Sequence, residues 1–142
     1  MGASGLSGLA TNRRLALALA CVWTLVIMIL CWMPTSGIEI QGDDSRYLRI
    51  PHLDKVVHAG MFALFGWLWT IAAGGGRRGW AVLAAGLVMA VGTEVVQGLP
   101  MGGRDPDVWD GLADTVGVTI GIASASFWFL RCGCGAKTDL ER

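Results

Sequence analysis

The sequence predicts an all-α membrane protein, a bundle of four transmembrane helices with both termini cytoplasmic. Three observations carry that expectation. Hydrophobic residues make up 54% of the chain against 15% charged, at a mean hydropathy of +0.55, and a soluble domain of this size needs more charged surface than that. The apolar residues gather into four runs, at about 15–33, 56–73, 80–97 and 109–130. Finally, charged groups keep to the tails and connections, except where His58, Glu94, Asp110 and Asp114 enter the runs. One domain, 15–130, accounts for the chain, between tails at 1–14 and 131–142. The formal net charge is zero and no Lys/Arg block occurs, so neither nucleic acid nor a polybasic lipid-binding tail is indicated.

The first twelve residues are small and polar, with several Gly and Ser, and read as a flexible tail. After Arg13-Arg14, run one spans roughly 28 Å at about 1.5 Å per residue, close to the hydrocarbon thickness of a bilayer. A signal peptide has a shorter apolar region ending in small residues, whereas this one ends Cys31-Trp32-Met33-Pro34, so it reads as a retained transmembrane helix. Ala18-Leu19-Ala20-Cys21 resembles a lipoprotein cleavage site only faintly, because its apolar lead-in is too short. Residues 35–53 form a polar connection broken by Pro34 and Pro51, with turn signals at Ser36-Gly37 and Gly42-Asp43. Run two carries His58. The connection from Gly74 to Gly79, with Arg77 and Arg78, is short enough to demand an antiparallel pair. Run three holds Glu94 near its end, and run four holds Asp110 and Asp114 near its start.

Orientation follows from the basic residues. Seven Lys/Arg (Arg13, Arg14, Arg77, Arg78, Arg131, Lys137, Arg142) lie on the side of the termini, against four (Arg46, Arg49, Lys55, Arg104) on the other, which places the termini inside. Trp32 and Trp109 are expected at the outer interface, and Trp69, Trp80 and Trp128 near the inner one. Of the four cysteines, Cys132-Gly133-Cys134 lacks a second pair and is weak evidence for zinc.

With that topology, every ionisable group within a run sits at the outer face, about one to two turns from its helix end, or roughly 4 to 8 Å deep. Helical spacing assigns faces. Asp54 and His58 are stacked at i and i+4, with Met61 and Phe65 continuing the stripe. Glu94 and Gln97 share a face above Ala90 and Gly86. Asp107, Asp110 and Asp114 continue into Gly117, Gly121 and Ala125, a small-residue stripe that marks a packed face, so these carboxylates point into the bundle. The same stripe suits an internal contact or a dimer, and the oligomeric state is open.

Two readings of the polar residues compete. They are structural glue, with Glu94 or Asp114 paired to Arg104 or Lys55, or they form a site, because inward carboxylates without matching cations are costly unless they hold a proton, a metal or a ligand. The acidic balance favours a site made of Asp54, Lys55, His58, Glu94, Gln97, Arg104, Asp110 and Asp114. No cofactor is indicated. A metal held by His58 with Glu94, Asp110 and Asp114 would be oxygen-ligated, in the manner of Mg²⁺ or Mn²⁺.

The pattern Asp54-Lys55-x-x-His58-x-x-x-Phe62, then Glu94-x-x-Gln97, then Arg104-x5-Asp110-x3-Asp114-x2-Gly117-x3-Gly121 resembles the VanZ-like family of small bacterial membrane proteins. The resemblance runs from about residue 51 to 121, and run one fits the family's leading helix in position only. The family has Asn where this chain has Asp114. Its name comes from proteins associated with low-level teicoplanin resistance, so the resemblance implies a role in the bacterial envelope and a link to glycopeptide resistance as an expectation.

Three functions are weighed. The first is a non-enzymatic protein of the bacterial cell membrane, binding a cell-surface component or antibiotic in an outer polar pocket, with membrane lipids and a lipid-linked or surface envelope component as partners. The second is an intramembrane enzyme acting on a lipid-linked substrate. In it His58 is the acid/base, Glu94 or Asp110 its orienting carboxylate, and Arg104 with Lys55 a phosphate clamp. No Ser or Cys adjoins His58, leaving Thr93, Thr115 and Ser36 as the hydroxyls to consider. The third, a proton- or cation-coupled carrier, ranks last, because residues 15–20, 65–71, 80–88 and 122–130 offer almost no polar path.

Overall fold

The computed structural model describes residues 12–32, 53–98 and 107–132. Within them the chain forms α1 (Arg13–Trp32), α2 (Leu53–Ala73), a single 3-10 turn (Gly76–Arg78), α3 (Gly79–Gln97) and α4 (Val108–Cys132). All four α-helices are long and apolar enough to cross a membrane, and the described residues contain no strand. The outside of the bundle is apolar, with Ile29, Val56, Val88, Val108 and Leu130 exposed. In lipid that costs nothing, while the helices satisfy their own backbone groups. The tails, including Cys134, and the polar connection before α2 lie outside the described residues.

Helix ends are set by local chemistry. Asn12 caps α1, its side-chain Oδ1 accepting from the Leu15 N–H at 3.2 Å. Asp107 caps α4, its Oδ1 accepting from the Trp109 N–H at 2.9 Å. Both satisfy amides that a helix start leaves without intrahelical partners. At the end of α2, Gly74 N–H donates to the Ile71 carbonyl and Gly75 N–H to the Thr70 carbonyl, each at 3.0 Å. With positive φ at Gly74, Gly75 and Gly76, this is a Schellman-type stop that returns the chain directly into α3. The remaining α2 carbonyls attract cations: Arg13 Nε donates to Ala72 O at 3.2 Å and Arg78 Nη1 to Ala73 O at 2.8 Å.

Residue pairing fixes the directions. Contacts between α2 and α4 advance together along the chain, from Lys55 with Asp110 and His58 with Asp114 to Ala59 with Gly117 and Ala63 with Gly121, so these helices are parallel. Between α3 and α4 they run oppositely, Glu94 lying against Gly111 and Gly86 against Val118. Helix α1 is antiparallel to α2, its Trp23 Nε1 donating to the Met61 carbonyl at 3.0 Å. The α2–α4 contact is made of backbone: a Cβ at Gly117 or Gly121 would collide with the carbonyls of Ala59 and Ala63, and one at Gly66 with the Val118 carbonyl. The small-residue stripe of α4 is therefore used within the chain.

The interior is apolar along most of its length. One cluster joins Ala16, Ala20, Leu68, Ile71, Ala125 and Phe129 near the arginine-bearing end, and a second joins Ile27, Cys31, Phe62, Phe65, Ala90 and Val118 further along. Trp69, one turn from the end of α2, turns toward the interior of the bundle. It is half-buried and packs between both clusters, its Nε1 donating to Thr24 Oγ1 at 3.0 Å, because an indole N–H enclosed in a bundle needs an acceptor and Thr24 supplies one.

Candidate functional site

The second apolar cluster is roofed by polar side chains from three helices. Helix α2 brings Lys55 and His58, three residues apart and so on one face. Helix α4 brings Asp110 and Asp114 from the facing side, with Asp107 at its cap. Because the two helices are parallel and in register, the pairs form rungs. Lys55 Nζ contacts Asp107 Oδ2 at 2.6 Å and Asp110 Oδ1 at 2.8 Å, and one turn deeper His58 Nδ1 lies 3.0 Å from Asp114 Oδ1. His58 and Asp110 are buried, and Asp114 is wholly so at 0% exposure.

Helix α3 closes the third side with Glu94. Its Oε2 accepts from the Asp107 backbone N–H at 3.0 Å, tying the end of α3 to the cap of α4 across the connection that holds Arg104. Glu94 is also within electrostatic reach of Asp110, Asp114 and His58. Among the described residues, two buried oxygens in this cluster have no hydrogen-bond partner, Glu94 Oε1 and Asp114 Oδ2. Unsatisfied buried acceptors are uncommon and costly, of order 1–3 kcal/mol each.

The histidine's carboxylate partner differs from the expected one. It is Asp114, not Glu94 or Asp110. The α2–α4 register sets His58 a turn below Asp110, and Lys55 engages Asp110 instead. Neither Glu94 nor Asp114 has Lys55 as its partner. Gln97 reaches the same end of the bundle but turns to α1, its Nε2 donating to the Cys31 carbonyl at 3.0 Å. Asp54 lies in the first turn of α2, but its side chain, like all of Arg104 and Ser36, is outside the described residues. The threonine hydroxyls are committed to their own helices, Thr93 to the Ala90 carbonyl at 2.9 Å and Thr115 to the Gly111 carbonyl at 2.8 Å. No group of three or more His, Cys, Asp or Glu among the described residues is arranged to hold a metal ion.

Asp107 joins the cluster from a position that helical spacing places only on the α4 stripe. Its signal was an Asp directly before an apolar run, where a helix cap is expected. It works three ways, capping α4, pairing with Lys55 and offering its own N–H to Glu94. The Lys55 ammonium, and then the Trp109 N–H, hold its carboxyl below the usual aspartate range.

A family model described as VanZ/LLP1 matches residues 17–130. The chain belongs to the VanZ/LLP1 family. No curated protein and no solved structure matches it. The VanZ/LLP1 match takes in α1 from residue 17 onward, well beyond the stretch from about 51 to 121 whose motifs carry the resemblance, and it includes every polar residue of the cluster. Asp114 turns Oδ1 toward His58. On the other arm of the side chain, where the amide of an Asn would present a donor, Asp114 presents the acceptor Oδ2.

Proposed function

We propose that this VanZ-like membrane protein binds a donor-rich envelope molecule, one bearing ammonium or clustered hydroxyl groups, at the polar end of its bundle. We further propose that this end faces outward from the bacterial cell membrane, and that such binding underlies a link to glycopeptide resistance. The observation that carries the reading is the pair of buried, unpartnered acceptors, Glu94 Oε1 and Asp114 Oδ2. A ligand donor admitted to either oxygen by an opening of the cluster would remove its desolvation penalty.

Charge argues in the same direction. Among the described residues of the cluster, four carboxylates (Glu94, Asp107, Asp110, Asp114) accompany one lysine and one histidine, and the lysine is already shared between two of them. A phosphate would meet net negative potential here, whereas an ammonium or a sugar hydroxyl would meet acceptors.

The test is native mass spectrometry of the full chain extracted with its lipids, with and without added teicoplanin. Wild-type protein is expected to retain an amine- or hydroxyl-bearing envelope molecule or the antibiotic. The Glu94→Gln/Asp114→Asn variant is expected to lose it by about tenfold or more, the scale of one charge-assisted hydrogen bond. Equal retention by both proteins would defeat the reading.

A second reading has an observation of its own. The His58–Asp114 pair is the arrangement by which a carboxylate orients an imidazole for acid/base work. It supports turnover of a retained lipid-linked molecule. A His58→Gln variant that binds the molecule but no longer converts it would favour enzyme over receptor.

A further inference from the structure

At the opposite end of the bundle the fold assembles a basic surface from separate segments. Among the described residues every arginine lies there: Arg13 and Arg14 at the start of α1, Arg77 and Arg78 in the turn before α3, and Arg131 in the last turn of α4. The described carboxylates of α3 and α4 all lie at the other end. Arg13 and Arg78 cap α2, and Arg131 sits 4.4 Å over the Phe127 ring. Arg77 makes no hydrogen bond or ion pair among the described residues.

A groove of about 260 Å³ opens between the first turns of α3 and the last half of α4, and two of its lining residues, Gly76 and Gly79, flank the exposed Arg77-Arg78 pair in the chain. Gly76, Gly79 and Ala123 leave the space, Leu83 and Ile122 form its apolar floor, and Trp80 stands at its mouth, 76% exposed. From Ser126 to Thr119 it extends about 10 Å along α4, away from the arginine-bearing end.

We propose that this groove is a binding site for an anionic membrane phospholipid, its acyl chain lying along Leu83 and Ile122 and its phosphate held by Arg77. An apolar slot that begins at the arginine-bearing turn, with Gly76 and Gly79 on its wall and Arg77 between them in the chain, matches the order of chemistry along such a lipid, phosphate first and hydrocarbon after. Trp80 suits the boundary, since its ring is apolar and its N–H remains in the headgroup layer. A second copy of the chain is a poorer occupant, because a parallel pair would juxtapose two arginine clusters.

The experiment uses the full chain in nanodiscs of phosphatidylcholine containing a small fraction of lipid with brominated acyl chains, which quench tryptophan on contact. Trp80 emission is isolated as the difference between wild type and Trp80→Phe. Brominated phosphatidylglycerol is expected to quench Trp80 at a fraction about fivefold lower than brominated phosphatidylcholine, and Arg77→Gln is expected to remove that preference. Ala123→Leu, which fills the groove from an exposed position, is expected to remove it while leaving Arg77 in place. A preference that survives Ala123→Leu means general surface attraction, and the proposal falls. It falls equally if the two lipids quench alike, if Arg77→Gln changes nothing, or if sedimentation shows a dimer that shields Trp80.

Discussion

Lys55 is held by two carboxylates, and the two are not equivalent. Asp110 is buried on the face of α4, whereas the Asp107 side chain is 41% exposed and caps the helix. Since Lys55 lowers the Asp107 pKa in the folded chain, the Asp107 carboxylate contributes stability that is fully present above its unfolded pKa. That contribution is lost only as the pH falls through the lower, folded value. The expected outcome is that Asp107→Asn melts below wild type at neutral pH, and that the gap closes only below the ordinary aspartate range, near pH 4. Thermal unfolding in detergent across pH 3 to 7 checks this. A gap that closes near pH 6 would mean that some other group carries the difference.

His58 and Gln97 mark the limit of what spacing alone predicts. That His58, Glu94, Asp110 and Asp114 share one end of the bundle is legible from hydropathy and topology, since each lies near a run boundary. Which carboxylate meets the histidine is not. It depends on the register between α2 and α4, set by the contacts of Ala59 with Gly117 and Ala63 with Gly121, some 58 residues apart in the chain. Gln97 illustrates the complement: it shares a helical face with Glu94 by spacing, yet the position of α1 captures its amide.

Among the elements, the α2–α4 pair is the closest packed and the least forgiving. A methyl group at Gly117 would press on the Ala59 carbonyl and one at Gly121 on that of Ala63, and neither can be relieved by a side-chain rotation. Gly117→Ala and Gly121→Ala are therefore expected to destabilise the protein by about 1–3 kcal/mol or more. Gly92→Ala has open space around its new Cβ and is expected to be neutral or to stabilise by up to about 1 kcal/mol, as Gly does poorly in a helix interior. Melting temperatures of the three variants in one detergent give the comparison. The four helices were visible in the sequence as apolar runs of bilayer length. Their ends were less so, because Asn12 and Asp107 act as caps from positions outside the apolar pattern.

At the scale of the whole molecule, charge is sorted by end. The described arginines lie at one end and the described carboxylates of α3 and α4 at the other, with Lys55 and His58 among the latter. From the positive-inside rule we propose that the arginine end is cytoplasmic and that the polar cluster faces out. A thiol introduced as Met101→Cys, in a chain whose Cys132 and Cys134 are replaced by Ser, is expected to react with a membrane-impermeant reagent on intact cells. Labelling seen only after permeabilisation would invert the assignment.

The parallel pairing of α2 and α4 also bears on how the protein is made. Helices enter the membrane in the order of synthesis, and the partner of α2 is the last of the four to arrive. Until α4 is inserted, Lys55 and His58 have neither Asp107, Asp110 nor Asp114 opposite them, and the backbone face of Ala59 and Ala63 is covered by nothing from α4. The α2 face of Lys55, His58, Ala59 and Ala63 thus gains its α4 contacts only after α3 has been made. Completion of the final helix is the event that both locks the bundle and creates the cluster.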